Sequence, residues 1–182
     1  MSVLELFISP GKYISGYDNI SKLGIEINKL GNKPMLLIDK NIEKIVEIGI
    51  KSIKSFGEVE ITYFNGECTF DETNRITKLM IEKGCDVIVG FGGGKTMDTA
   101  KASGYDAKVK IATVPTIAAT CAAWASHSAM YTPEGIAHSY YSIYKNADLV
   151  FMDKKITSEA PVRYIISGMV DTLAKWIETK AF

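Results

Sequence analysis

From Val87 to Ala102 the chain reads VIVGFGGGKTMDTAKA, and this stretch restricts the fold more tightly than any other. The apolar run Val87–Val89, broken at Gly90 and closed by Gly92, Gly93 and Gly94, predicts a buried strand that ends in a glycine turn. Met97, Ala100 and Lys101 follow at helix-compatible spacing, with Asp98 expected near the first turn, where an acid suits the helix dipole. A strand, a glycine turn and a helix start in succession aim backbone N–H groups at the space above the turn. Without side chains in the way, a bulky anion can come close. Phosphate or pyrophosphate is the natural guest.

Two common phosphate motifs fail on spacing. A P-loop ending in Gly94-Lys95-Thr96 needs its first glycine at position 89, which is valine. A GxGxxG fingerprint started at Gly90 needs glycine at position 95, which is Lys95. The plainer reading is a tight turn with no ligand. Against it, three consecutive glycines exceed what a turn requires, and Lys95 adds a cation beside them.

The flanking sequence sets this turn in an alternating pattern. Residues 18–30 carry Ile20, Leu23, Ile27 and Leu30 at helical spacing, with Asp18 or Asn19 as cap and Gly31 as stop. PMLLID, residues 34–39, is a continuous apolar run of the kind buried on both faces in a parallel sheet. A helix over 41–55 follows, weakened at Gly49, then a strand over 59–64, a helix over 71–83 and a strand over 110–116. An extended segment at 3–8 and a short strand after Pro10-Gly11 open the chain, and a strand LVFM at 149–152 comes late. Residues 158–182 read as helix in two pieces broken near Gly168, with Val170, Leu173, Ala174 and Ile177 as a core stripe. The fold class is therefore α/β, a mostly parallel wound sheet with a short N-terminal β segment.

Composition excludes several classes. Basic and acidic residues number 21 each, so nothing advertises nucleic acid. No apolar run approaches the roughly 18 residues of a membrane span. Cys68, Cys85 and Cys121 are odd in number, scattered and without a CxxC pair, which argues for a reducing, cytoplasmic setting.

Three segments, GGGKTMDTAKA, VPTIAAT and GMVDTLAKWIE, stand in the order found in the iron- or zinc-containing alcohol dehydrogenase family, and the chain closely resembles its glycerol dehydrogenase-like branch. PGKYISG is similar to the family's opening. The resemblance implies NAD as cofactor, a Rossmann-like nucleotide-binding domain over 1–160, and the first segment of an all-helical domain over 161–182. It implies that Gly92, Gly93, Gly94, Lys95 and Thr96 receive the pyrophosphate and that Asp39 receives the adenosine ribose, repelling the 2′-phosphate of NADP. Read without the family, Asp39 is equally a cap for the next helix. Thr116, Thr120 and Tyr131 map to the nicotinamide side.

The same resemblance implies one divalent metal, zinc or iron, held by an aspartate and two histidines. Asp171 matches the aspartate; without the family it is an exposed acid pairing with Lys175 at i+4. His127 and His138 lie outside the family's ligand motifs. Where glycerol-oxidising relatives read Thr-Asp-Ala-Pro, this chain has Thr120-Cys121-Ala122-Ala123 followed by Trp124. Cys121 thus falls at the substrate position with Asp171 nearby. The loss of an acid and the added apolar bulk put glycerol itself in doubt and favour another small alcohol, aldehyde or hydroxy-ketone. The expected whole is a metal-dependent dehydrogenase moving hydride between a small alcohol or polyol and NAD. This chain would be its nucleotide-binding half, inactive alone, and homo-oligomer formation is left open. Two other readings stay open: a non-catalytic nucleotide-binding module, and a lyase or phospho-polyol dehydrogenase of the dehydroquinate synthase-like superfamily. The last calls for basic residues near the substrate loop, and residues 117–139 hold no Lys or Arg.

Overall fold

The computed structural model describes residues 8–180, so the extended segment expected at 3–8 lies outside it apart from Ile8. Six strands form one sheet: β1 (Tyr13–Gly16), β2 (Pro34–Ile38), β3 (Glu60–Tyr63), β4 (Val87–Gly92), β5 (Lys110–Pro115) and β8 (Leu149–Asp153). Their order is β1-β8-β5-β4-β2-β3, and every neighbouring pair is parallel. Between them run α1 (Leu23–Asn28), α2 (Glu43–Lys54), α3 (Phe70–Lys83) and α4 (Gly94–Asp106). An antiparallel hairpin, β6 (His127–Tyr131) with β7 (Ala137–Ser142), stands apart from the sheet. Helices α5 (Lys154–Glu159) and α6 (Val162–Glu178) close the described chain.

The apolar runs of the central strands follow from burial on both faces. On β2, Leu36 and Ile38 join one core with Leu23, Ile27, Val46 and Ile50, while Met35 and Leu37 join the other with Ile76, Met80 and Met97. At ~25 cal/mol per Å² of apolar area removed from water, these layers supply the main driving force for folding. On β4, Gly90 has a packing role: a Cβ there would stand 2.7 Å from Ala100 Cβ, so its absence lets α4 lie close to the strand. Gly49 acts likewise in α2, which runs past it without a break, since a Cβ would meet Ile20 at 2.9 Å.

Three expectations are corrected. Asn19 stands at the N-cap position, its carbonyl accepting from the Lys22 N–H at 2.9 Å, but the first helix opens as a 3-10 turn at Ile20–Lys22 and neither Asp18 nor Asn19 caps it through a side chain. The carboxylate of Asp153, at the end of β8, accepts from the N–H groups of Asp18 and Ile20 instead, at 3.0 and 2.8 Å. The C-terminal helices break at Pro161, not at Gly168. Pro161 lacks an N–H, and it holds Ala160 extended at ψ 153°. Gly168 sits inside a continuous α6, where a Cβ would run into the Ala118 carbonyl, so it is a point of close approach. Finally, Val170, Leu173 and Ile177 do not form a core stripe within the described residues: each is at least 60% exposed, because α6 meets the rest of the chain along its Gly168 side.

Candidate functional site

The sheet order reverses at β4. From β2 the chain steps outward to β3, then returns to β4 on the other side of β2 and proceeds to β5 and β8. In open α/β sheets such a switch point leaves a crevice at the carboxyl ends of the strands. Here it puts the residue after β2, Asp39, beside the turn after β4, and the Asp39 N–H donates to the Phe91 carbonyl at 3.2 Å.

The turn is built by its glycines. Gly92 has φ +158°, and a Cβ would stand 2.6 Å from Thr96 Oγ1, so no side chain fits without displacing the first turn of α4. Gly93 is the N-cap of α4 in ordinary extended conformation, and no side chain caps the helix. The first N–H groups of a helix have no partner within it, so those of Gly94, Lys95 and Thr96 open toward the crevice with the positive end of the helix dipole. At this crevice lies a cleft of about 810 Å³, lined among others by Asp39, Gly93, Gly94, Lys95, Thr96 and Thr116. Gly92 is buried at the strand end and shapes the turn from beneath. Asp39 also caps the 3-10 turn Lys40–Ile42, accepting through Oδ1 from the backbone and side-chain N–H groups of Asn41 at 3.0 Å. The cap and the cleft-lining position are both real.

A second cleft of about 440 Å³ adjoins the first across Gly94, Lys95, Ile117 and Tyr164. Thr120, Cys121, Tyr131 and Asp171 line it, so the site residues read from sequence fall into two adjacent groups. Gly168 makes this possible by bringing α6 against the 117–119 loop, which sets Asp171 and Cys121 in one cleft. Asp171 accepts from Lys175 at 3.0 Å, the i+4 pair, and this bond holds the Lys175 ammonium above its usual pKa. His127 lines the same cleft with its ring edge-on to Tyr140, whereas His138 packs on Phe70. Trp124 does not line either cleft. Its ring meets Tyr13 edge-on at 5.4 Å, so the expected apolar bulk points elsewhere.

Asp98 and Lys101 were not legible as a site. α4 begins at Gly94, which puts Asp98 beyond the first turn, and the expected dipole role is absent. Both side chains are buried instead. Lys101 is 1% exposed and donates to three carbonyls of the following loop, those of Ala122, Ala125 and His127, at 2.7, 3.0 and 2.6 Å. These bonds occupy the three protons of the ammonium. Asp98 Oδ1 lies 2.8 Å from the same nitrogen, an ion pair by distance, yet receives no directed hydrogen bond. Burial raises the Asp98 pKa, opposed by the Lys101 charge. Asp98 Oδ2 accepts from the Ala129 N–H at 3.2 Å, which ties the pair to the start of the hairpin beside the second cleft. Glu67, unremarked in the sequence, holds Lys95 at 2.6 Å. Cys68 is a buried thiol pushed up to about 12 by desolvation, and no chemistry is expected of it.

The residues fit an NAD-like diphosphate and do not fit a complete metal site. Among the described residues no group of three or more His, Cys, Asp or Glu is placed to hold an ion; Asp171 stands without such partners. Nor is any described helix long and apolar enough to cross a membrane.

Fold and crevice together define a Rossmann-like α/β domain with a glycine turn at the edge of its central strand. The model of the family described as iron-containing alcohol dehydrogenase matches residues 10–154, and the chain belongs to that family. It is 39% identical over 176 residues to a glycerol dehydrogenase of Thermotoga maritima, covering 96% of this chain and 48% of the relative. A glycolaldehyde reductase of Halobacterium salinarum is 33% identical, with 97% of this chain and 49% of that protein covered. The solved glycerol dehydrogenase of Schizosaccharomyces pombe superposes with a TM-score of 0.88 at 33% identity, over 97% of this chain and 45% of that one. The chain thus spans about half the length of the relatives it matches.

Proposed function

We propose that this chain forms the nucleotide-binding part of a cytoplasmic, NAD-dependent and metal-dependent alcohol dehydrogenase acting on a small alcohol or polyol. The observation that carries the proposal is the meeting, at the switch point, of an uncapped α4 N-terminus built on Gly92–Gly94 with the carboxylate of Asp39. In this reading the amides of Gly94, Lys95 and Thr96 hold the diphosphate, and Asp39 accepts from the adenosine ribose. Thr116 and Thr120 flank the path to the second cleft. Bound nicotinamide supplies the hydride acceptor or donor. Tyr131 closes the far side.

The second cleft is where the alcohol would lie, with Cys121 and Asp171 on its walls. Cys121 brings no carboxylate, so recognition of a second hydroxyl falls to other groups. A small alcohol, its aldehyde or a hydroxy-ketone fits better than glycerol specifically, and a relative described as a glycolaldehyde reductase supports that breadth. Among the described residues Asp171 is the ligand this reading gives the metal, and when bound the ion would polarise the alcohol oxygen. We infer a boundary between the nucleotide-binding domain and a helical one near residue 160, supported by the break at Pro161.

Titrating the purified protein with NADH and with NADPH by nucleotide fluorescence tests the proposal. NADH should bind at least ~10-fold tighter, the effect of setting the 2′-phosphate of NADPH against a carboxylate in a partly desolvated site. Equal affinity would remove the role given to Asp39. Binding of neither would contradict the proposal.

A further inference from the structure

Lys95 stands on the wall shared by the two clefts, in the first turn of α4. Its ammonium is already engaged, 2.6 Å from Glu67 Oε2 and 4.6 Å from the centre of the Tyr131 ring. Glu67 comes from the connection between β3 and α3 and lines neither cleft, while its Oε1 accepts from the Cys68 N–H at 3.2 Å. Cys68 in turn accepts, through its carbonyl, from the Tyr131 N–H at 2.9 Å. Glu67, behind the clefts, and Tyr131, on the wall of the second, therefore belong to one tied unit that receives the lysine.

A cation in the first turn of a helix opposes the dipole and needs an anion beside it. Glu67 is that anion, supplied from within the chain. A diphosphate arriving at the α4 amides offers the same ammonium a second anion of higher charge. The lysine can pass between them, since its side chain is 42% exposed on a flexible four-carbon stem, while Glu67 at 18% is the more fixed partner.

We propose that Glu67 is a competing counter-ion that holds Lys95 back and thereby sets how tightly the glycine cradle retains a diphosphate. This rests on the reading of the cradle as a pyrophosphate seat. Lys95 then gives up or shares one ion pair for another when the ligand binds, so the net gain is the difference between the two. The cradle binds more weakly, and releases faster, than the same amides with an unpaired lysine. Glu67 would govern affinity without touching the ligand. A fixed-pillar role predicts the opposite sign, because Glu67 would then hold Lys95 in its ligand-binding pose and its loss would weaken binding.

The test is calorimetric titration of ADP into the purified protein, its Glu67→Gln and Lys95→Met variants, and the double variant, with thermal melts to confirm folding. Glu67→Gln should tighten ADP by about 3–5-fold, the upper end for a partly exposed ion pair, and Lys95→Met should weaken it. In the Lys95→Met background the Glu67→Gln change should fall within about twofold, because its target is gone. Unchanged or weaker binding by Glu67→Gln, or an equal gain in the double variant, overturns the competing role while leaving the cradle intact. If the unsubstituted protein binds no ADP, the pyrophosphate reading fails, and the inference with it.

Discussion

Lys101→Met is expected to lower stability by about 3–5 kcal/mol, the cost of leaving a buried charge without its partner. At roughly 2–4 °C per kcal/mol for a domain of this size, the thermal midpoint should fall by about 6–20 °C. Methionine keeps much of the stem's volume but strands the Asp98 carboxylate and removes the donor shared by the carbonyls of Ala122, Ala125 and His127. The deficit should depend on pH. The Asp98 pKa is already raised by burial, and losing the Lys101 charge raises it further. A carboxyl with a raised folded pKa favours folding when protonated and loses that contribution as pH climbs through the folded value. The variant should therefore lie furthest below the parent near neutrality and recover part of the difference on acidification. A companion Asp98→Leu in the same background should restore some stability at neutral pH, since two apolar residues strand no charge. Melts from pH 5 to 8 decide it; a deficit under 1 kcal/mol across that range would show that the loop does not hang on this ammonium.

Gly93→Val should cut NADH affinity by at least ~100-fold with little change in thermal midpoint. The separation of effects comes from the backbone. Gly93 has φ −88° and ψ −171°, which valine adopts readily, and the nearest atom to a Cβ there is the tip of Ile117 at 3.0 Å, which can yield. The added methyls would then stand at the mouth of the cradle, where the cleft-lining position of Gly93 puts them between the α4 amides and any diphosphate. Two charge-assisted hydrogen bonds at ~1.5–3 kcal/mol each are enough for the predicted loss. Gly92→Val would be a poorer probe, because the clash with Thr96 disturbs the helix start itself. Retained affinity in a folded Gly93→Val variant would put the diphosphate elsewhere.

What the sequence disclosed and what it hid divide along physical lines. β2 and β4 were legible because strands covered on both faces have no polar positions, and the glycine turn because the close packing of β4 on α4 excludes side chains at Gly90 and Gly92. Asp39 and Asp171 were reached through motif likeness, and local spacing alone left each with a bland alternative that the structure also contains, a cap and an i+4 pair. The Asp98–Lys101 pair was hidden for a different reason. An acid and a base three apart on a helix read as a solvated face, and their burial depends on carbonyls more than 20 residues later in the chain. Glu67 meets Lys95 across 28 residues, again beyond any local pattern. Gly168 misled because a glycine inside a helix signals either a break or a close contact, and only the position of Ala118 decides which.

The central claim is that the turn after β4 seats the diphosphate of a nicotinamide dinucleotide. A crystal structure of the protein grown with saturating NADH tests it most directly. The account predicts diphosphate oxygens on the amides of Gly94, Lys95 and Thr96, ribose hydroxyls on Asp39, and the nicotinamide in the cleft of Thr120, Cys121 and Asp171. Density for the diphosphate away from α4, or a vacant cleft at saturating NADH, would contradict it.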